Sequence, residues 1–195
     1  PIGRGGGSGA MAPAAISPAA ISPAAISPAA DSPAADSAAA AGFQGVTLSA
    51  VGGAMLANTV AAGGMAMPPQ LVSGYLDGAQ ELPAAPTPAG QRVLEESVAD
   101  EVGTMMAATC ADGSAAKAFA GRERIPGVAV AGKTGTLSDD DPFYMQYSWF
   151  VGYAPVDKPQ LSVSVLLGNP ELWQLKAHTA ARMVLIEALR SRAGS

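Results

Sequence analysis

Residues 127–136 read GVAVAGKTGT, and the reading of the fold turns on them. Val128 and Val130 are β-branched and two residues apart, the spacing of one face of a strand. The run predicts a strand over Gly127–Thr136 that ends in Lys133-Thr134-Gly135-Thr136. Such an ending sets an ammonium beside two hydroxyls. Gly135 has no Cβ, so a second chain can approach the backbone there. That chemistry suits a wall for a carboxylate or an oxyanion. The rest of the chain is expected to build this strand into a sheet or to cover its back.

Downstream, MQYSWFVGY over Met145–Tyr153 predicts a second strand, and QLSVSVLL over Gln160–Leu167 a third, with Leu161, Val163 and Val165 alternating. Ser138-Asp139-Asp140-Asp141-Pro142 predicts a solvated turn between the first two. Short connections favour an antiparallel meander. Asn169 is expected to cap a last helix with Pro170 at its first position, running to about Arg192. Trp173, Ala177, Ala181, Val184, Leu185, Ala188 and Leu189 would line one side of it.

Upstream, Thr47–Ala62 is small and apolar nearly all round, which predicts a buried helix capped near Thr47 or Ser49 and stopped by Gly63-Gly64. Its internal Gly52 and Gly53 weaken the helix and permit close packing. Met67-Pro68-Pro69 reads as a turn, Gln70–Leu76 as a short strand and Pro83–Gly90 as a loop. Val93–Cys110 predicts a second helix, with Val98, Val102, Met105, Met106 and Thr109 on one apolar face and Glu95 and Glu96 at its favourable N-terminal end. A short helix is expected over Ser114–Ala120. Helices, then a three-strand meander, then a packing helix read as α+β, with an antiparallel sheet of at least three strands.

Residues 1–41 are of another kind. A Gly-rich start is followed by a pentapeptide repeat with prolines at 13, 18, 23, 28 and 33, reading PAAIS and then PAADS before it runs into alanines. Proline at that spacing blocks helix and ladder alike, so a partly extended linker is expected over 1–41, with the folded domain over 42–195.

Composition narrows the function classes. The 195 residues carry 11 basic and 16 acidic side chains, a net charge of −5, so nucleic acid is a poor partner. Cys110 and His178 are the single cysteine and the single histidine, which excludes an intrachain disulfide and a His/Cys zinc cluster; no cofactor is called for. Cys110 reads as a small buried hydrophobe, His178 as a packing or surface residue, and Trp149 and Phe150 as core. No apolar run reaches membrane-spanning length and no signal peptide precedes Met11, so a membrane tie is expected only through an upstream anchor.

AGKTGT, a turn, SWFVGYAP at 148–155, an alternating strand and a final helix together resemble the C-terminal part of a penicillin-binding protein transpeptidase domain. Thr47–Leu71 and the helix leading to Gly113-Ser114-Ala115 resemble the same family, so the resemblance covers about 42–188 and is most specific over Ala131–Pro155. It implies a serine D,D-transpeptidase of peptidoglycan crosslinking at the periplasmic face of the cell envelope. Lys133 would face the cleft and assist proton traffic. Thr134 and Thr136 would bind the carboxylate of a D-Ala-D-Ala stem or a β-lactam, and Gly135 would leave room for substrate along the strand. The Thr136 backbone N–H would be one oxyanion donor, worth about 3 kcal/mol of barrier.

The family nucleophile is the Ser of an S-x-x-K far upstream of K-T-G, with S-x-N between them. This sequence has no S-x-N, and its one S-x-x-K, Ser114 to Lys117, stands where the family has a Gly-Thr-Ala turn. Ser114 is therefore read as a chance match, and the nucleophile half of the domain is expected to be a missing partner of this one. The alternatives are a non-catalytic remnant or interaction module of the same fold, or a β-lactamase relative.

Overall fold

In the computed structural model of the protein, residues 48–122, 124–139, 144–170 and 173–193 are described. The expected linker over 1–41 and most of the Ser138–Pro142 turn lie outside them.

Ser49 caps helix α1, Ala50–Ala61, its Oγ accepting from the Gly52 N–H at 3.0 Å. Gly63 and Gly64 stop the helix with φ of +60° and +90°. The chain then makes β1, Met65–Ala66, which pairs with β4, Gln91–Arg92. Between them the expected strand over Gln70–Leu76 is replaced by a hairpin of β2, Gly74–Asp77, and β3, Gln80–Pro83. Asp77-Gly78 is the local reason: Gly78 takes φ +61°, which a tight hairpin turn requires.

Helix α2 runs Glu96–Ala111, and a one-turn α3, Ala116–Phe119, follows. The buried face of α2 is Ala99, Gly103, Met106 and Cys110; of the expected face, Met106 is buried and Val102 packs beside it, whereas Val98 and Met105 are exposed. Ala99 and Gly103 join that face because the helix comes very close to its neighbours. A Cβ on Gly103 would lie 2.8 Å from the Tyr153 hydroxyl.

The central sheet holds β5, Ala131–Asp139, β6, Met145–Ala154, and β7, Leu161–Asn169, in the order β5-β6-β7, all antiparallel. This is the expected meander. Its first strand starts four residues later than the valines predict, because Gly127 at φ +70° and the Val128 N–H to Ile125 carbonyl bond make a turn of the approach. Val130 is buried all the same.

Pairing of Gly132 with Gly152, Thr134 with Phe150 and Thr136 with Ser148 puts these residues on one face of the sheet. That face is packed by α3 and by helix α4, Ala177–Ala193, around Phe119, Phe150, Ala181 and Leu185. The other face carries Ala131, Lys133, Gly135, Val151 and Tyr153. It is covered at one end by α1 and α2. There a Cβ on Gly53 would meet Ser164 Oγ at 2.5 Å, so glycine allows α1 to lie directly on the strands. The result is an α+β fold with helices on both faces of an antiparallel sheet.

The last helix begins at Ala177, not at Asn169-Pro170. Asn169 is the final residue of β7, and the Ala177 N–H is satisfied from the sheet by Ser148 Oγ at 2.9 Å. Trp173 therefore precedes the helix, and Val184 is exposed, whereas Ala177, Ala181 and Leu185 are buried as expected.

His178 lies in the first turn of α4 and is 8% exposed. Burial, then the charges of Lys176 and Lys117, hold its pKa below the ordinary 6.5. The unfolded chain thus takes up this proton at a higher pH than the folded one. The stability associated with neutral His178 is complete above 6.5 and is lost as pH falls through that value toward the folded pKa. The melting temperature is expected to fall as pH drops below 6.5, and His178→Gln to flatten that part of the profile. An unchanged slope in the variant would count against it. Cys110 is buried and its thiol is pushed up to about 12 by desolvation, so it is an inert packing residue.

Candidate functional site

Strand β5 is an outer strand of the sheet, and residues 133–136 sit in its middle. Lys133 is exposed, and its Nζ donates to the Thr134 carbonyl at 2.6 Å. That bond draws the ammonium back along its own strand. Thr134 and Gly135 are half-buried and Thr136 is exposed. Alternation sends Lys133 and Gly135 to one face and Thr134 and Thr136 to the other. The four residues therefore surround one stretch of the strand's outer edge from both sides.

Gly135 has an internal reason to be glycine. A Cβ there would lie 3.3 Å from Trp149 Cβ across the pair, tighter than usual side-chain contact. Gly132 has a stronger one, since a Cβ would overlap the Phe150 ring, 2.6 Å from its Cε2. Two aromatic residues of β6 thus require glycine on either side of the Lys133-Thr134 pair, Trp149 on the face of the lysine and Phe150 on the core face.

The structure brings one unexpected residue to this edge. Ser114, on the turn between α2 and α3, has its Oγ 2.5 Å from Thr134 Oγ1. Spacing gave no sign of it, because the two residues are 20 apart in sequence. Among the described residues, no hydrogen bond joins Ser114 to Lys117, whose charge is felt instead by His178. The partner the structure gives the Ser114 hydroxyl is that of a threonine.

Two clefts elsewhere, of about 220 and 380 Å³, open beside α1 and include no residue of 133–136. Among the described residues no strand pairs with the outer side of β5, and that edge can present a cation, two hydroxyls and backbone groups to an extended, negatively charged ligand. No described helix is long and apolar enough to cross a membrane.

A model of the penicillin-binding protein transpeptidase domain family matches residues 24–186. The peptidoglycan D,D-transpeptidase PbpA of Mycobacterium tuberculosis is 33% identical over 133 residues, which is 66% of this chain and 26% of the relative. The imipenem acyl-enzyme complex of penicillin-binding protein A from M. tuberculosis superposes with a TM-score of 0.60 at 29% identity, covering 75% of this chain and 32% of that one. The D,D-transpeptidase domain of a peptidoglycan glycosyltransferase from Eggerthella lenta gives 0.59 at 27% identity, covering 71% and 31%. The chain spans 26% of the length of its curated relative and 32% and 31% of those two structures.

Proposed function

Because the chain belongs to the penicillin-binding protein transpeptidase family, we propose that β5 is the carboxylate-holding wall of a peptidoglycan-crosslinking site in the cell envelope. Its ligand is the D-Ala-D-Ala end of a stem peptide, or a β-lactam that resembles it. The observation that carries this reading is the bond from Lys133 Nζ to the Thr134 carbonyl on an outer strand. In an antiparallel strand, the N–H and C=O of one residue point to the same edge, and residues two apart share that edge. A Thr134 carbonyl that meets the lysine argues that residues 134 and 136 turn their backbone groups outward. The Thr136 N–H is then positioned to donate to a developing oxyanion. An extended peptide can add to the same edge as a further strand.

The nucleophile of such a site is not assigned to any residue of this sequence. An acyl transfer needs a serine with a base beside it, and the contact that engages Ser114 Oγ is a threonine hydroxyl. The wall recognises the carboxylate, and the opposing half of the domain supplies the attack.

The test is a titration of the 195-residue chain with N-acetyl-D-alanyl-D-alanine, followed by amide NMR. Shifts centred on Lys133–Thr136 are expected, and the C-terminal amide of the same dipeptide is expected to produce none there. Equal responses to acid and amide would overturn the carboxylate role. A fluorescent penicillin is expected to leave Ser114 unlabelled, and a stable adduct on it would reverse the assignment of that residue.

A further inference from the structure

We infer that Ser114 is a positioning residue for ligand binding at β5, acting only through the Thr134 hydroxyl. The inference deepens the proposed function and rests on it for the identity of the ligand.

The turn that carries Ser114 is held on both sides. The Gly113 N–H bonds the Ala108 carbonyl at 3.1 Å and the Ala115 N–H bonds the Thr109 carbonyl at 3.1 Å. Ala115 is fully buried, and Ala118 and Phe119 are nearly so. A Cβ on Gly113 would lie 2.9 Å from Thr109 Cα, so the turn closes tightly on the end of α2. Ser114 therefore projects from a backbone with little freedom, and its hydroxyl meets Thr134 at 2.5 Å.

The direction of that hydrogen bond follows from the ligand. An ionised carboxylate only accepts, and a hydroxyl has one proton to give. When Thr134 donates to the carboxylate, its oxygen must accept from Ser114. The protons then run Ser114 to Thr134 to carboxylate, each bond polarising the next. Threonine χ1 has few staggered choices, and the Ser114 contact selects one of them. Ser114 touches neither the ligand nor a base in this arrangement. Its work is to present Thr134 in one rotamer with its proton directed outward.

Three measurements on the same chain decide this. In Ser114→Ala the affinity for N-acetyl-D-alanyl-D-alanine is expected to fall by about three- to tenfold, the loss of one hydrogen bond that water partly replaces. Ser114→Thr is expected to restore it. In a Thr134→Val background, Ser114→Ala is expected to have no further effect. An equal loss in both backgrounds would overturn the inference. The third readout needs no ligand. Three-bond couplings to the Thr134 methyl are expected to report one χ1 rotamer in the wild type and averaging in Ser114→Ala. Unchanged couplings would overturn the inference even where the ligand binds. A wild type with an ordered Thr134 that ignores the dipeptide would instead reject β5 as a carboxylate wall, and with it any part for Ser114 in ligand binding. Matching melting curves for the variants separate all of this from misfolding.

Discussion

Phe150→Ala is expected to destabilise the chain by about 3–5 kcal/mol, the range for removing a fully buried aromatic side chain. At this size that corresponds to a fall in melting midpoint of roughly 6–20 °C. Phe150 has no exposed surface and stands at the middle of β6. Its ring packs 5.2 Å from that of Phe119, tilted by 31°. Gly132 on β5 and Gly152 two residues along β6 leave the floor beneath it open. Removing the ring empties the place where β5, β6, α3 and α4 meet, and those elements cannot collapse into it without moving strand backbone. The glycine supplies an internal check. Gly132→Ala drives a Cβ into the Phe150 ring and to 2.9 Å from the Val151 carbonyl oxygen in the wild type, and is expected to cost less in the Phe150→Ala background, where only the backbone contact remains. Thermal denaturation of the two single variants and the double variant tests this. A midpoint shift under about 2 °C for Phe150→Ala would show that the ring is not the keystone of the sheet.

Lys133→Met is expected to weaken binding of N-acetyl-D-alanyl-D-alanine by about ten- to a hundredfold, the scale of a hydrogen bond to a charged group. Methionine keeps the length of the stem and removes the charge. The exposed ammonium already lies along the strand, on the Thr134 carbonyl, so a carboxylate at the edge meets a cation that has little distance to move. Wild-type affinity is expected to fall with added salt because the pair is exposed, and the variant to show little of that dependence. Lys133→Arg keeps the charge but spreads it over a planar fork, so only part of the affinity is expected to return. A change of less than about twofold in Lys133→Met, read by the same titration, would remove the lysine from the binding wall.

The elements read correctly from sequence share a physical cause. Alternation in QLSVSVLL and the short connection between β6 and β7 state the meander locally, because strand period and turn length need no distant partner. Ser49 caps α1 through its own third neighbour. The misread boundaries depended on distant residues. Ala177 starts α4 because Ser148, 29 residues away, accepts its N–H. The core face of α2 takes in Gly103 because Tyr153 of β6 comes against it. The β2–β3 hairpin was within reach, since Asp77-Gly78 is a standard turn signal between Tyr75-Leu76 and Leu82.

By itself the sequence determined the family and the strand that carries Lys133, Thr134 and Thr136. Lys133-Thr134-Gly135-Thr136, followed at a short interval by a second strand ending in Tyr-Ala-Pro, places a cation and two hydroxyls on a strand whatever surrounds it. Only the tertiary structure decided what stands next to that strand. Ser114 had the spacing of a nucleophile motif and no other mark. Its meaning came from a turn folded back across 20 residues until its hydroxyl met Thr134 at 2.5 Å. Spacing along a chain reports which side chains share a helix face or a strand face. Which hydroxyl touches which, across two elements, is set by packing, and in this fold Ala115, Phe119 and Phe150 set it from beneath.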